Sequence, residues 1–152
     1  MLFTYNQTSE QIYDSIFTSD KDIVLHYRCG DIALVSNLKR HGFLSMSYYK
    51  QALDESGWSQ YLDNDDTTVW VVTQQNNYKC VQIVEAAMPA IRELFSPARV
   101  EIVKHNQTFG IEGVKAQNMD FFRMTHAPLL LCSTSTFCDQ AAIGNVNKVM
   151  FP

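Results

Sequence analysis

The sequence predicts an α/β domain of Rossmann-like, three-layer form, with a mostly parallel five-stranded sheet covered by helices on both faces. Three observations predict it. Short apolar runs rich in β-formers alternate along the chain with stretches of helical periodicity, the pattern of parallel β-α-β crossovers. Those runs, such as Ile23-Val24-Leu25 and Leu129-Leu130-Leu131, lack polar alternation, as expected of strands buried on both sides. The length of 152 residues fits a single domain.

The elements follow in order. Thr8-Ser9-Glu10-Gln11 has capping-box spacing, and Ile12, Ile16 and Phe17 after it form a short first helix. Asp22 to Arg28 reads as the first strand, ended by the turn residues Cys29-Gly30-Asp31. Ser45 to Ser56 reads as a helix carrying Tyr48, Tyr49 and Leu53. Thr67 to Gln74 is the second strand. From Asn76-Asn77, the residues Val81, Val84, Met88, Ile91 and Leu94 share one helical face, with Pro89 expected to kink or split the helix. Arg99 to Lys104 is the third strand. A helix runs from about Glu112 to Met124, and Pro128 to Cys132 is the fourth strand. Ser133-Thr134-Ser135-Thr136 opens a helix through Gly144, and Lys148 to Phe151 is the fifth strand.

Composition narrows the function classes. Hydrophobic residues make up 46% and charged residues 18%, a globular balance. The formal net charge is −4, and no basic run interleaved with aromatics occurs, which argues against nucleic acid as the main partner. No apolar stretch is long enough to cross a bilayer. The first residues, MLFTYNQTSEQ, have neither the basic residue nor the apolar core of a signal peptide. A targeting segment, if the protein works in the lumen of the endoplasmic reticulum or Golgi, is expected upstream. The fifth strand would ordinarily be followed by a covering helix, so the chain is expected to be part of a longer, two-domain enzyme. The four cysteines, Cys29, Cys80, Cys132 and Cys138, contain no C-x-x-C pair and give no support to a zinc site. Cys29 and Cys132 read as small buried thiols at strand ends, and a disulfide stays open.

In an open parallel sheet, ligands bind beyond the carboxyl ends of the strands, near the switch in strand order. Two strand ends carry polar residues suited to this. His26-Tyr27-Arg28 ends the first strand, and a guanidinium there can fork onto a phosphate or pair structurally with Asp31. Ser133-Thr134-Ser135-Thr136 follows the fourth strand at a helix start, where hydroxyls can cap the helix or bind phosphate oxygens. If the two strands are neighbours, Arg28 and the hydroxyl row face the same diphosphate.

The segment Leu25-His26-Tyr27-Arg28-Cys29-Gly30-Asp31 resembles the H-x-R motif region of the fucosyltransferase superfamily of GT-B fold, which includes the α1,2-, α1,6- and protein O-fucosyltransferases. Asp120 through Phe137 resembles the downstream segment of the same family, and Val69 to Thr73 fits the strand between them. The likeness covers most of the chain from Asp22 to Pro152 and corresponds to the C-terminal, donor-binding domain. It implies GDP-fucose as donor, a glycan or protein acceptor, no metal, and an acceptor-binding domain outside this chain. It implies that Arg28 contacts the β-phosphate and assists departure of GDP, while His26 shapes the site and orients Arg28. Gly30 belongs to the same donor-binding turn. Asp120 would read the guanine edge, with backbone near Gln117 as a second contact. Ser133, Ser135, Thr136 and Phe137 would line the diphosphate, and Thr73 the end of the second strand. Asp31 is the nearest base for the acceptor hydroxyl, or else a turn cap. Cys29-Gly30-Asp31 departs from the charged pattern the family carries after its Arg, and Thr73-Gln74 from its acidic residues, so the linkage formed stays open. The other readings are a non-catalytic or truncated nucleotide-binding domain, and a transferase using another nucleotide sugar.

Other features are expected to be structural. Asp63-Asn64-Asp65-Asp66 contains a D-x-D triplet, but it precedes the second strand, at the wrong edge for a ligand. His26, His41, His105 and His126 lack the spacing of a helical metal pair, although His41 with Gly42-Phe43-Leu44 is a candidate to shape the loop over the donor. Asn6-Gln7-Thr8 and Asn106-Gln107-Thr108 are glycosylation sequons, which arise readily by chance.

Overall fold

The computed structural model describes residues 9–29, 43–74, 78–104 and 116–152. The chain runs α1 (Ser9–Ile16), β1 (Ile23–His26), α2 (Met46–Ser56), a 3-10 turn (Trp58–Tyr61), β2 (Thr68–Val72), α3 (Tyr78–Leu94), β3 (Arg99–Ile102), α4 (Ala116–His126), β4 (Leu129–Leu131), α5 (Thr136–Gly144) and β5 (Lys148–Met150). The strands form one sheet in the order β3-β2-β1-β4-β5. Every neighbouring pair is parallel, and the central strand β1 aligns Ile23 with Val69 on one side and with Leu129 on the other.

Alternation of side chains along these strands feeds two cores. On one face Ile23, Leu25, Val69, Val71, Leu129 and Leu131 pack under Tyr49 and Leu53 of α2 and Val84, Met88 and Ile91 of α3. On the other, Val24, Val72, Leu130 and Cys132 pack under Ile16, Met124 and Ala141 from α1, α4 and α5. The result is the three-layer α/β arrangement that the apolar runs predict. Every residue of β1 and β4 is buried, and each aliphatic side chain so enclosed stabilises the fold by about 1.5–3 kcal/mol.

Local signals set the ends of α2. Ser45 is its N-cap and accepts from the Tyr48 amide at 3.3 Å. Gly57 closes it in the left-handed region, φ 77°, with its N–H donating to the Asp54 carbonyl. Of the kink or split expected at Pro89, the split does not occur: α3 is one continuous helix from Tyr78 to Leu94. Pro89 is exposed, so the carbonyl it leaves without an N–H partner is on the solvent side. The buried stripe Cys80, Val84, Met88 and Ile91 holds both halves on the sheet.

Asp22 ties down the amino edge of the sheet. Its fully buried carboxylate accepts from the Thr18 amide at 2.7 Å, the Thr18 hydroxyl at 2.8 Å, the Thr68 amide at 2.9 Å and the Trp70 indole at 2.8 Å. The acidic run Asp63–Asp66 lies beside this edge and is exposed, as its place before β2 predicts.

Candidate functional site at the strand-order switch

The chain leaves β1 toward β2 and β3 on one side, then crosses to β4 and β5 on the other. Strand order therefore reverses between β1 and β4, and the helices that follow them, α2 and α5, pack on opposite faces of the sheet, the place where open α/β sheets bind ligands. The two polar strand ends meet there. Leu25 is in register with Leu131, which places His26 beside Cys132 and Ser133. The His26 ring shares a hydrogen bond with the Ser133 hydroxyl, Nδ1 to Oγ 2.8 Å. Arg28 Nη1 donates to the Thr134 carbonyl at 2.5 Å. The guanidinium from one strand end and the loop that carries the hydroxyl row are thus on the same edge, joined through the Thr134 carbonyl.

Electrostatics separates the roles of these groups. Burial, together with the Arg28 charge, holds the His26 imidazole down to about 4, so it is neutral at pH 7. A neutral ring has one donor and one acceptor nitrogen and orients Ser133 without adding charge. Arg28 supplies the cation. Its side of the loop also carries the N-terminus of α5, whose first-turn amides add partial positive charge. Asp139, exposed in the first turn of that helix, is the opposing charge.

The hydroxyls divide by burial. Ser133 is buried and committed to His26. Ser135 holds the N-cap position with extended backbone, φ −157° and ψ 125°, yet its side chain makes no capping hydrogen bond. Helix capping, one of the two readings open from sequence, is therefore not what its hydroxyl does. Thr134 and Thr136 are exposed and Ser135 is partly so.

Phe137 packs near the His26 ring, centroids 6.2 Å apart, and near Phe121 at 5.7 Å. Through that contact α4 packs against the start of α5. Asp120 is buried, and its charge acts on Arg123, which it helps keep protonated against burial. Thr73 lies just past β2 with its hydroxyl enclosed and without a hydrogen-bond partner. Thr67, at the opposite end of the same strand, is in the same state, so this does not single out Thr73. Gly30 and Asp31 lie outside the described residues, as do His41, His105 and both sequons. His126 ends α4, stacked on Phe122 at 3.9 Å. Among the described residues no cluster of three or more His, Cys, Asp or Glu could hold a metal ion.

Two features of this edge were not legible in sequence. Tyr48 reaches from α2 to donate its hydroxyl to the Cys132 carbonyl at 3.0 Å, fixing the end of β4. Cys29 and Cys132, read from sequence as buried thiols with a disulfide left open, are joined as Cys29–Cys80 and Cys132–Cys138. The available signal was position, since Cys29 follows Arg28 and Cys132 precedes Ser133.

No family model, curated protein or solved structure matches the chain. Its geometry defines the class directly: an α/β, Rossmann-like domain whose switch point brings a polar, cation-bearing pair of strand ends together.

Proposed function

We propose that this domain binds the diphosphate of a nucleotide sugar, GDP-fucose, and supports transfer of fucose to a glycan or protein acceptor. The observation that carries the reading is the meeting of Arg28 and the Ser133–Thr136 loop at the β1/β4 switch. A guanidinium has five donors, so anchoring the loop and contacting a phosphate are compatible tasks. The fucosyl part rests on the resemblance of residues 25–31 and 120–137 to the fucosyltransferase superfamily.

The chemistry follows from charge. Cleaving the bond between sugar and GDP leaves an oxocarbenium-like carbon and a more negative diphosphate. A cation already held in place stabilises that leaving group more in the transition state than in the ground state. Loop hydroxyls and helix amides add donors at the same place. His26, neutral and buried, acts by orienting Ser133. In this reading Asp120 serves the guanine edge and Asp31 is the candidate base.

Calorimetry on Arg28→Ala tests the site. Removing a charge-assisted contact should weaken GDP binding by about tenfold to a hundredfold, with folding retained by circular dichroism. Equal affinity in wild type and variant would remove Arg28 from the site. A thermal-shift panel of GDP, UDP, CDP and ATP tests the base. Preference for UDP would sink the fucosyl reading and spare the glycosyltransferase one.

A further inference from the structure

Both disulfides sit at the carboxyl edge of the sheet, and each is joined covalently to a site residue. Cys29 follows Arg28 and is tied to Cys80 in the first turn of α3. Cys132 precedes Ser133 and is tied to Cys138 in the first turn of α5. The strands themselves need no such help, because β1 and β4 are hydrogen-bonded on both sides and fully buried. What lacks ladder hydrogen bonds is the loop after β4, which holds the Ser133 hydroxyl and Thr134 carbonyl that meet His26 and Arg28.

The two bridges differ in what they can do. Cys29 and Cys80 are 51 residues apart in sequence, Cys132 and Cys138 only 6. Stabilisation through the unfolded chain grows with the length of the loop closed. The long bridge is therefore the one suited to global stability. The short bridge restricts a single loop, the one carrying Ser133, Thr134, Ser135 and Thr136. All four cysteines are buried, which keeps the sulfurs from exchange with thiols in solution.

We propose that Cys132 and Cys138 form a positioning pair for the anion site. Their disulfide holds the Ser133–Phe137 loop in the conformation that Arg28 and His26 engage, so ligand affinity depends on it, whereas Cys29–Cys80 mainly sets stability. This deepens the diphosphate reading and rests on it for the identity of the ligand.

The test compares Cys132→Ala/Cys138→Ala with Cys29→Ala/Cys80→Ala, measuring GDP affinity and thermal midpoint for each. The first variant should bind GDP at least about tenfold more weakly, from looser positioning of charge-assisted contacts, with the smaller fall in midpoint. The second should show the larger fall in midpoint. GDP affinity within twofold of wild type in the first variant overturns the proposal. If wild type itself does not bind GDP, the nucleotide reading fails, and the brace is decided by hydrogen exchange. Amides 133–137 should then exchange at least about tenfold faster in the first variant while β1 amides keep their protection; unchanged exchange overturns it. A second variant, Cys132→Val/Cys138→Ala, keeps apolar volume at the buried position. If neither short-bridge variant folds, the bridge is a global staple and the proposal is overturned.

Discussion

His26 shows how one buried side chain links site geometry to stability. Its ring is enclosed at the end of β1, bonded to Ser133 and close to the Arg28 charge. Both burial and that charge disfavour the imidazolium, lowering the group from its ordinary 6.5 to about 4. Between those values the unfolded chain binds a proton that the folded chain refuses. Stability from this group is therefore complete above the unfolded value and is lost as pH falls toward the folded one. The loss should total on the order of 3 kcal/mol. Carboxylates also titrate near the lower limit, so the useful quantity is a difference. Urea unfolding of wild type and His26→Asn, followed from pH 7 to pH 4, should converge as pH falls, because the variant lacks this titration. Parallel pH profiles would mean that His26 is not held neutral in the fold.

Among the helices, α2 tests the local rules most directly. Gly57 ends it at φ 77°, and a Cβ added there would meet nothing closer than the Gln60 amide nitrogen at 3.9 Å. Space is thus not the obstacle to Gly57→Ala; the left-handed backbone is. The variant should lose about 1–2 kcal/mol in chemical denaturation, and a neutral result would show that the C-cap conformation relaxes freely. Signals of this local kind explain why the order and type of elements could be read from sequence: Ser45 and Gly57 bound α2, and apolar runs such as Leu129-Leu130-Leu131 mark strands buried on both faces. Strand order was legible only as a condition, because nothing local states that β1 and β4 are neighbours. The sheet meets that condition, and the contact of Arg28 with the Ser133–Thr134 loop follows from it. Most of what stayed hidden depended on partners distant in sequence. Pro89 does not split its helix, because its exposure, and the buried stripe that carries the helix past it, belong to tertiary packing. The Tyr48 bond to Cys132 spans 84 positions and the Cys29–Cys80 bridge 51, separations over which residue spacing carries no information.

At the scale of the whole molecule, the Asp22 cluster and the proposed anion site lie at opposite ends of the same strands. The amino edge is closed by Asp22, whose carboxylate collects donors from Thr18, Thr68 and Trp70. The carboxyl edge carries Arg28, six residues and roughly 20 Å of extended chain away. Substitutions this far apart with no shared partner should act independently. Asp22→Asn keeps the volume but turns one acceptor into a donor facing the Thr68 amide or the Trp70 indole. It should cost about 2–4 kcal/mol of stability. The GDP dissociation constant, measured well below the unfolding midpoint, should stay within about twofold of wild type, since the folded fraction is still near one. Ser133→Ala should do the reverse: it costs about 1 kcal/mol of stability but weakens GDP binding, because it releases the loop from His26. If Asp22→Asn instead weakens GDP binding as much as Ser133→Ala does, the two edges are coupled through the sheet. The proposed anion site could not then be treated as a local structure built on a rigid frame.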